Sequence, residues 1–586
     1  MKKFTALFIA LIMSAACLTA CNDSSASNTE NSVGNNTSST SSISSDSSSN
    51  TDSSSAENSD YNTEMFADGD FKDVSSEKEN ATITLSGNTG TISDTTRGSS
   101  GSQVTITSKG IYRVIGSSEN VSIVIKDSNE SGNIYLILDN VTMKNSTACI
   151  NVESCDKLII QCVGENNLTY TNTSSDEKID GAIYSKNDVT VNGSGKLNIT
   201  SSLHGIVCKE DLKITGSEVS VNAENIGIQG SDSVKFGGGS VDITSGHDGI
   251  QVSNKNNNGY FYIENTDLTI TTNYDGIAVT ADDDNAKFTG SAEFRSGSLK
   301  ITSGGGSDNS KNSSTSQKGI KCHGDITFSG ASVDISSADD AVHSNGNITV
   351  KSGNLALSTS DDGMTAKGDI NINDGTVIVS KSYEAIEAAN VVINDGAVNV
   401  FSSDDGINTS GGSDTSSSDD DKWSSDSSGA SLTINGGYIY INSEGDGLDS
   451  NGSIYVTGGT VIIEGSSASG NGAIDKGDGS GCVASITGGT VLAIGSADMA
   501  INFDSGTQCS ALVSVSSENG AEISVNDGSA FSFTASKGFS CAVYSSPNLE
   551  QGKSYTLSAG SSSSDMDFSS GLYYSNVSSK NSGGKP

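Results

Sequence analysis

Proline is almost missing from this chain, 2 of 586 residues, at Pro547 and Pro586. Apolar spacing of helical period is also missing after the first 21 residues. Each proline in a sheet interior deletes a ladder N–H, so near-absence of proline suits a long run of hydrogen-bonded strands. Without a 3.6-residue pattern, no amphipathic helix is expected. Tryptophan occurs once, as Trp423 in a polar stretch, and a flat row of aromatic rings for crystalline cellulose cannot be built from it. Arginine is confined to Arg97, Arg113 and Arg295, and the formal net charge is −39. Nucleic acid is thereby excluded as a partner, because a phosphate backbone needs clustered Lys and Arg. The 4 histidines, His204, His247, His323 and His343, share no ligand spacing, which disfavours zinc. None of the 10 cysteines forms a C-x-x-C pair. Most are expected as small buried hydrophobes rather than as a disulfide framework.

Glycine, in contrast, is abundant at 67 residues, and it recurs on a period. The small residue after an acidic slot falls at Gly319, Ala341, Gly363, Ala385 and Gly406, in steps of 22, 22, 22 and 21 residues. Gly205, Gly227 and Gly249 keep the same step upstream. Each repeat carries short apolar/polar alternations, such as Ile370-Asn371-Ile372 and Val377-Ile378-Val379, separated by Asn-Asp-Gly or Thr-Gly-Gly. Alternation of period two means strands, and those triplets mean tight turns. Three short strands and three turns per repeat predict an all-β fold: a single-stranded, right-handed parallel β-helix of about 22 residues per coil with β caps at both ends.

The chain divides accordingly. Residues 1–21 carry Lys2 and Lys3, an apolar run and Leu18-Thr19-Ala20-Cys21, which matches a bacterial lipobox. Cleavage before Cys21 and its lipidation would hold the protein on the outer face of the cell membrane by a lipid anchor alone. Residues 22–78, rich in Ser, Thr, Asn and Asp, are expected to be a disordered tether. An N-terminal cap and first coils occupy 79–178, and the regular helix 179–500, with insertions at 303–317, 410–429 and 466–481. A C-terminal β cap covers 501–563, with a hairpin of Ala542–Tyr544 against Tyr555–Leu557, and 564–586 is a flexible tail. The protein is expected to be a monomer.

Stacking puts equivalent residues about 4.8 Å apart, so the acidic slot becomes a column. It holds Asp248, Asp275, Asp340, Asp362, Glu384, Asp405 and Asp446, with Asp339, Asp361 and Asp404 beside it and Glu387 and Asp449 three residues on. Two carboxylates at that spacing repel by about 3 kcal/mol at an effective dielectric of about 20. They must then be protonated, spread into solvent or be bridged by a hard cation; calcium suits carboxylates and turn carbonyls. The competing account is turn chemistry, in which Asp accepts from following amides and Gly takes positive φ. The metal candidates are Asp339, Asp340, Asp361, Asp362, Glu384, Asp404, Asp405, Asp446 and Asp449. Lys318, Lys321 and Lys367 near the ridge, with Tyr274 and Tyr383 preceding acidic slots, are candidate sugar contacts.

The segments SKGIYRVIG (Ser108–Gly116), IYLILDNVTM (Ile134–Met143), DDGINTSG (Asp404–Gly411), GDGLDSNGSIYVTGGTVII (Gly445–Ile463) and GNGAIDKGDG (Gly470–Gly479) together resemble a bacterial carbohydrate-binding parallel β-helix family. That family is typified by a cellulose- and acidic-sugar-binding surface protein of Clostridium thermocellum and is similar in fold to pectate lyases. The resemblance covers about residues 80–500. It implies Ca2+, with the DDG and GDGLD carboxylates as ligands, and binding of cellulose or polygalacturonate-like polymers without established catalysis. Tyr383-Glu384-Ala385 departs from the Asp-Asp-Gly pattern. A calcium-dependent polysaccharide lyase and a structural adhesin are the alternatives.

Overall fold

Alternation in the sequence becomes alternation in space. In Glu218–Ala223, Val219, Val221 and Ala223 are buried while Glu218, Ser220 and Asn222 face out. The structure, a computed structural model, describes residues 61–129, 132–172, 178–253, 259–280, 290–410 and 429–574, all within the unit Asp60–Pro586. Residues 1–60, with the expected signal peptide, Cys21 and most of the expected tether, residues 411–428 with Trp423, and residues 575–586 lie outside the described residues.

The protein is all-β. Each strand of the central region pairs in parallel with the strand three places further along the chain, giving three stacked faces of a β-helix-like solenoid. Face A begins with Gly181–Ser185, His204–Cys208 and Ile228–Gly230; face B with Asp188–Gly193, Asp211–Ile214 and Ser233–Phe236; face C with Lys196–Ser201, Glu218–Ala223 and Gly239–Ser245. Ile206 lies opposite Ile228, Ile228 opposite Ile250, and Ile250 opposite Ile277. This inward column continues through Ile320, Val342, Met364, Ile386, Ile407, Leu448 and Ile474, and every member is buried. Each such side chain contributes roughly 1.5–3 kcal/mol by leaving water. The rungs meet so closely that a Cβ at Gly249 would lie 2.3 Å from Ile270 Cγ2 and 2.6 Å from the Gly276 carbonyl oxygen. Close stacking is why the slot admits only Gly or Ala.

The ends are closed differently. Ala81–Gly87 and Thr89–Ile92 form an antiparallel hairpin before the parallel stacks begin. At the other end Phe539–Ser545 runs antiparallel to both Thr490–Gly495 and Ser510–Ser517. Glu522–Val525, Ser532–Thr534, Ser554–Ala559 and Ser562–Asp567 form a separate antiparallel sheet. The expected hairpin of Ala542–Tyr544 with Tyr555–Leu557 is therefore corrected: the two segments belong to different sheets. The expectation of a flexible tail from 564 is also corrected, because Ser562–Asp567 pairs along its full length and Met566 and Phe568 are buried.

The tether ends earlier than expected. Residues 61–78 are a strap packed on face B, since Phe66, Val74 and Asp70 are buried. Tyr61 stacks on Phe71 at 3.9 Å between ring centroids, and Phe66 meets the edge of Tyr262. Asp68–Phe71, a single turn, is the only helix among the described residues. Asp70 accepts from the Ala67 amide (2.9 Å), Thr190 Oγ1 (2.8 Å) and Lys213 Nζ (3.0 Å), and from Lys157. Burial raises the Asp70 pKa, but the Lys157 bond, the Ala67 amide and the two ammonium charges outweigh it and hold the carboxyl at about 2.

None of the eight cysteines in the described residues forms a disulfide, and only Cys482 is not buried. Burial pushes the thiols of Cys149, Cys162, Cys208, Cys322 and Cys541 up to about 12.

Candidate functional site

The corner where face C hands over to face A carries the acidic ridge. Its register follows from backbone bonds between rungs: Gly319 N donates to Asp340 O, Ala341 N to Asp362 O, Gly363 N to Glu384 O, Ala385 N to Asp405 O and Gly406 N to Asp446 O. The column exists, with one interruption, because Gly276 N donates to Lys318 O and places Lys318 between Asp275 and Asp340.

Why the slot is acidic is now visible. Asp248 Oδ1 accepts from Asp275 N (3.2 Å), Asp275 Oδ1 from Lys318 N (2.8 Å), Asp362 Oδ1 from Glu384 N (3.0 Å) and Asp405 Oδ1 from Asp446 N (2.7 Å). Each carboxylate thus caps the amide of the equivalent residue one rung on. Turn chemistry explains the column, but the bonds run between rungs rather than within one turn.

The ridge divides into two electrostatic halves. In the first, Lys318 Nζ lies 2.8 Å from Asp339 Oδ1 and 2.6 Å from Asp340 Oδ2, with only 13% of its side chain exposed. His343 Nδ1 is 2.9 Å from the same Asp340 oxygen. Lys311, supplied by the 303–317 insertion, reaches Asp339 at 3.5 Å and also bonds Asp361. Burial raises the Asp340 pKa, yet His343 and Lys318 outweigh it and hold the group below the ordinary range. Asp339, Asp340 and Asp361 do bring carboxylate oxygens within 4.8 Å of one another. Two ammonium groups already neutralise them, so this set does not suit a cation.

The second half differs. Asp405, Asp446 and Asp449 also place carboxylate oxygens within 4.8 Å of one another. Among the described residues no Lys, Arg or His pairs with Asp405. Burial, then the charges of Asp404 and Asp475, push its carboxyl up to about 6, although the Asp446 amide opposes this. Burial together with Glu387, Asp362 and Asp405 raises Glu384 well above its ordinary value, and burial with Asp340 and Asp361 does the same to Asp362. Three convergent hard oxygen donors, held in a half-buried corner that disfavours the Asp405 charge, fit a divalent cation such as Ca2+. Asp404 flanks them, and Glu384 accepts from Asn408 Nδ2 at 3.2 Å.

The sugar-contact candidates separate as well. Lys318 is corrected: it is an internal counterion. Lys321 Nζ lies 3.7 Å from Asp275, and Tyr274 has one ring face covered by His247 at 3.9 Å. Lys367 is exposed at the opposite corner, after face A. Tyr383 is 49% exposed beside the ridge, its hydroxyl bonded toward Asp404.

Two participants were not singled out from sequence. Lys311 stood in an insertion of Ser, Asn and Gly, its charge the only signal. Asp475 was placed inside a 466–481 insertion, whereas Ile474–Lys476 is a face A strand that sets Asp475 opposite Asp449. The likeness of Ile474-Asp475-Lys476 to Leu448-Asp449-Ser450 is the signal that finds it.

A family model described as carbohydrate-binding domain-containing protein matches residues 100–363 and 364–475. A protein of that description from Acetivibrio thermocellus is 30% identical over 130 residues, 21% of this chain and 45% of that protein. The match therefore spans less than half of the relative's length. A solved structure of a polysaccharide lyase-like protein from C. thermocellum, a gadolinium derivative, covers 50% of this chain and 96% of its own at 24% identity and a TM-score of 0.30.

Proposed function

We infer from one fact, that this chain belongs to the carbohydrate-binding domain family, that its acidic ridge is a calcium-assisted site for an acidic polysaccharide such as polygalacturonate. The observation that carries the reading is the cluster of Asp405, Asp446 and Asp449, whose carboxylate oxygens lie within 4.8 Å of one another. A bound calcium ion would neutralise these carboxylates and offer open positions to an anionic sugar. In that arrangement Asp405, Asp446 and Asp449 hold the cation, and Tyr383 supplies an exposed ring beside it for the apolar face of a sugar. The inter-rung amide bonds fix Asp405 and Asp446, so the site is preorganised. The backbone reading that goes with this is a single-stranded, right-handed β-helix of about 22 residues per coil.

A chain of net charge −39 grips an anionic polymer only through bridging cations or a local basic patch, and Lys318 and Lys311 are already held. Chelator is therefore expected to abolish retention of polygalacturonate, with Asp405→Asn doing so in the presence of calcium. Undiminished retention in chelator would refute the reading. The lyase alternative is less favoured because the ridge lysine best placed to be a base, Lys318, is 13% exposed and double-paired. The same reading places the protein at the cell surface through lipid on Cys21. Palmitate label that persists in a Cys21→Ser variant would contradict it.

A further inference from the structure

Four large apolar side chains are exposed among the described residues: Tyr383, Phe401, Tyr438 and Tyr455, at 49%, 37%, 42% and 38%. They are not scattered over the chain. Tyr383 sits on the ridge, and Asp404 N donates to its carbonyl from the next rung. Phe401 lies on face C in that next rung, in the strand Ala397–Ser402. Tyr438 is directly above Ala397, and Tyr455, on face B, is directly above Thr433, which leads into the strand of Tyr438. The rings therefore climb one rung per step, in a diagonal that leaves the ridge and crosses face C to face B. Phe401 and Tyr438 are separated by four residues along the strand direction and one rung, roughly 14 Å at the usual strand spacings.

What surrounds the row is polar, with two exposed carboxylates, Asp374 and Asp395, each accepting from the following glycine amide at the corner between faces B and C. Asn399 lies between Phe401 and the Tyr438 column, and its Oδ1 has no hydrogen-bond partner. A buried acceptor left unmade is costly, so this amide gains from a donor brought to it. At the corner between Tyr455 and Tyr438, Asn394 Nδ2 donates to Asn373, Asn435 Nδ2 to Asn394 and Thr457 Oγ1 to Asn435, at 2.7–2.8 Å. An amide in such a ladder keeps a second N–H and a second lone pair for an outside partner. One position of the turn is kept bare: a Cβ at Gly458 would lie 2.3 Å from the Asn435 carbonyl oxygen. Phe401 is held by the edge of Tyr440, whose ring also meets Phe533 of the C-terminal cap.

We propose that this row is a second carbohydrate face, taking a neutral polysaccharide chain without calcium. Sugar rings lay their C–H faces on Tyr438, Phe401 and Tyr455, and their hydroxyls meet Asn399 and the corner amides. The carboxylates at its edge, Asp374 and Asp395, each bond a glycine amide of their own turn and repel an anionic chain, which is why an uncharged polymer suits this face better than the anionic one assigned to the ridge. The proposal rests on the carbohydrate reading for the class of partner only.

The test uses the whole chain in EDTA, with cellohexaose titrated by calorimetry, and a parallel arm with polygalacturonate and calcium. Wild-type protein is expected to bind cellohexaose in EDTA. The double variant Tyr438→Ala, Tyr455→Ala is expected to lose about tenfold or more in affinity, while Tyr438→Phe stays within about twofold. Circular dichroism identical to wild type confirms that the variants fold, and calcium-dependent polygalacturonate retention is expected unchanged in all of them. No binding of cellohexaose by wild type, equal binding by the double variant, or equal losses in both arms would overturn the proposal. Wild-type failure on polygalacturonate alone overturns the calcium reading and leaves this one standing.

Discussion

Raising the pH of calcium-free protein is expected to weaken the ridge, and calcium is expected to reverse this. Asp405 is the group to follow. Its carboxyl sits at about 6 against an ordinary 3.8, from burial first and then from Asp404 and Asp475. That gap of about two units corresponds to about 3 kcal/mol. Because the folded state holds this proton more tightly than the unfolded chain, the group's contribution to stability falls as pH rises from about 4 through about 6. Calcium needs the ionised carboxylates, so the stabilisation it brings is small at about pH 5 and grows toward about pH 8. The assay is thermal unfolding at both pH values, in EDTA and in saturating calcium, for wild type and Asp405→Asn. Wild type in EDTA should melt lower at the higher pH, with calcium restoring it. In the variant the calcium response should disappear and the pH response should shrink to what Glu384 and Asp362 retain. A wild-type melting temperature that ignores pH and calcium across this window would refute the reasoning, whatever its sugar binding.

Two further perturbations probe the buried charges. Lys318→Met leaves Asp339 and Asp340 short of an internal counterion and should cost about 3–5 kcal/mol, since breaking a buried pair leaves an uncompensated charge; denaturant unfolding measures it, and a change below about 1 kcal/mol would show that His343 and Lys311 already suffice. Asp70→Asn should release the strap, detected as new protease cleavage within residues 61–79 while the solenoid stays intact. In the wild type the Asp70 carboxyl is depressed to about 2, so its contribution is full above about pH 4 and is lost as pH falls through about 2. Strap protection that is indifferent to both the substitution and acid would count against that anchor.

Sequence periodicity was enough to place most side chains on the right face, because a two-residue alternation repeated at fixed spacing leaves little freedom of register. The inward column from Ile206 to Ile474 and the shared slot of Cys208 and Cys322 follow directly from it. Periodicity says nothing about the strap, whose composition is that of a soluble linker except for Tyr61, Met65, Phe66, Phe71 and Val74. Five large apolar residues in a polar stretch carry no repeat, and Asp70 looks like one more solubilising charge until Lys157 and Lys213 are seen beneath it. Asp475 was hidden for a related reason, as its strand is only three residues long between glycine-rich loops.

The ridge shows where a repeat stops being informative. Every acidic slot looks alike in sequence, and the doubled Asp at 339–340, 361–362 and 404–405 suggests one uniform spine. The structure breaks that uniformity with residues that do not repeat. Lys318 enters the column itself, and Lys311 arrives from an insertion that interrupts the pattern. Their effect is to convert one half of the spine into a closed network, while Asp405, Asp446 and Asp449 gather carboxylate oxygens in the other. The tyrosines follow the same logic, because Tyr438 and Tyr455 occupy slots filled by Ala397 and Thr433 one rung below. In a solenoid the repeat builds the scaffold, and the departures from it mark where one rung is chemically different from the next.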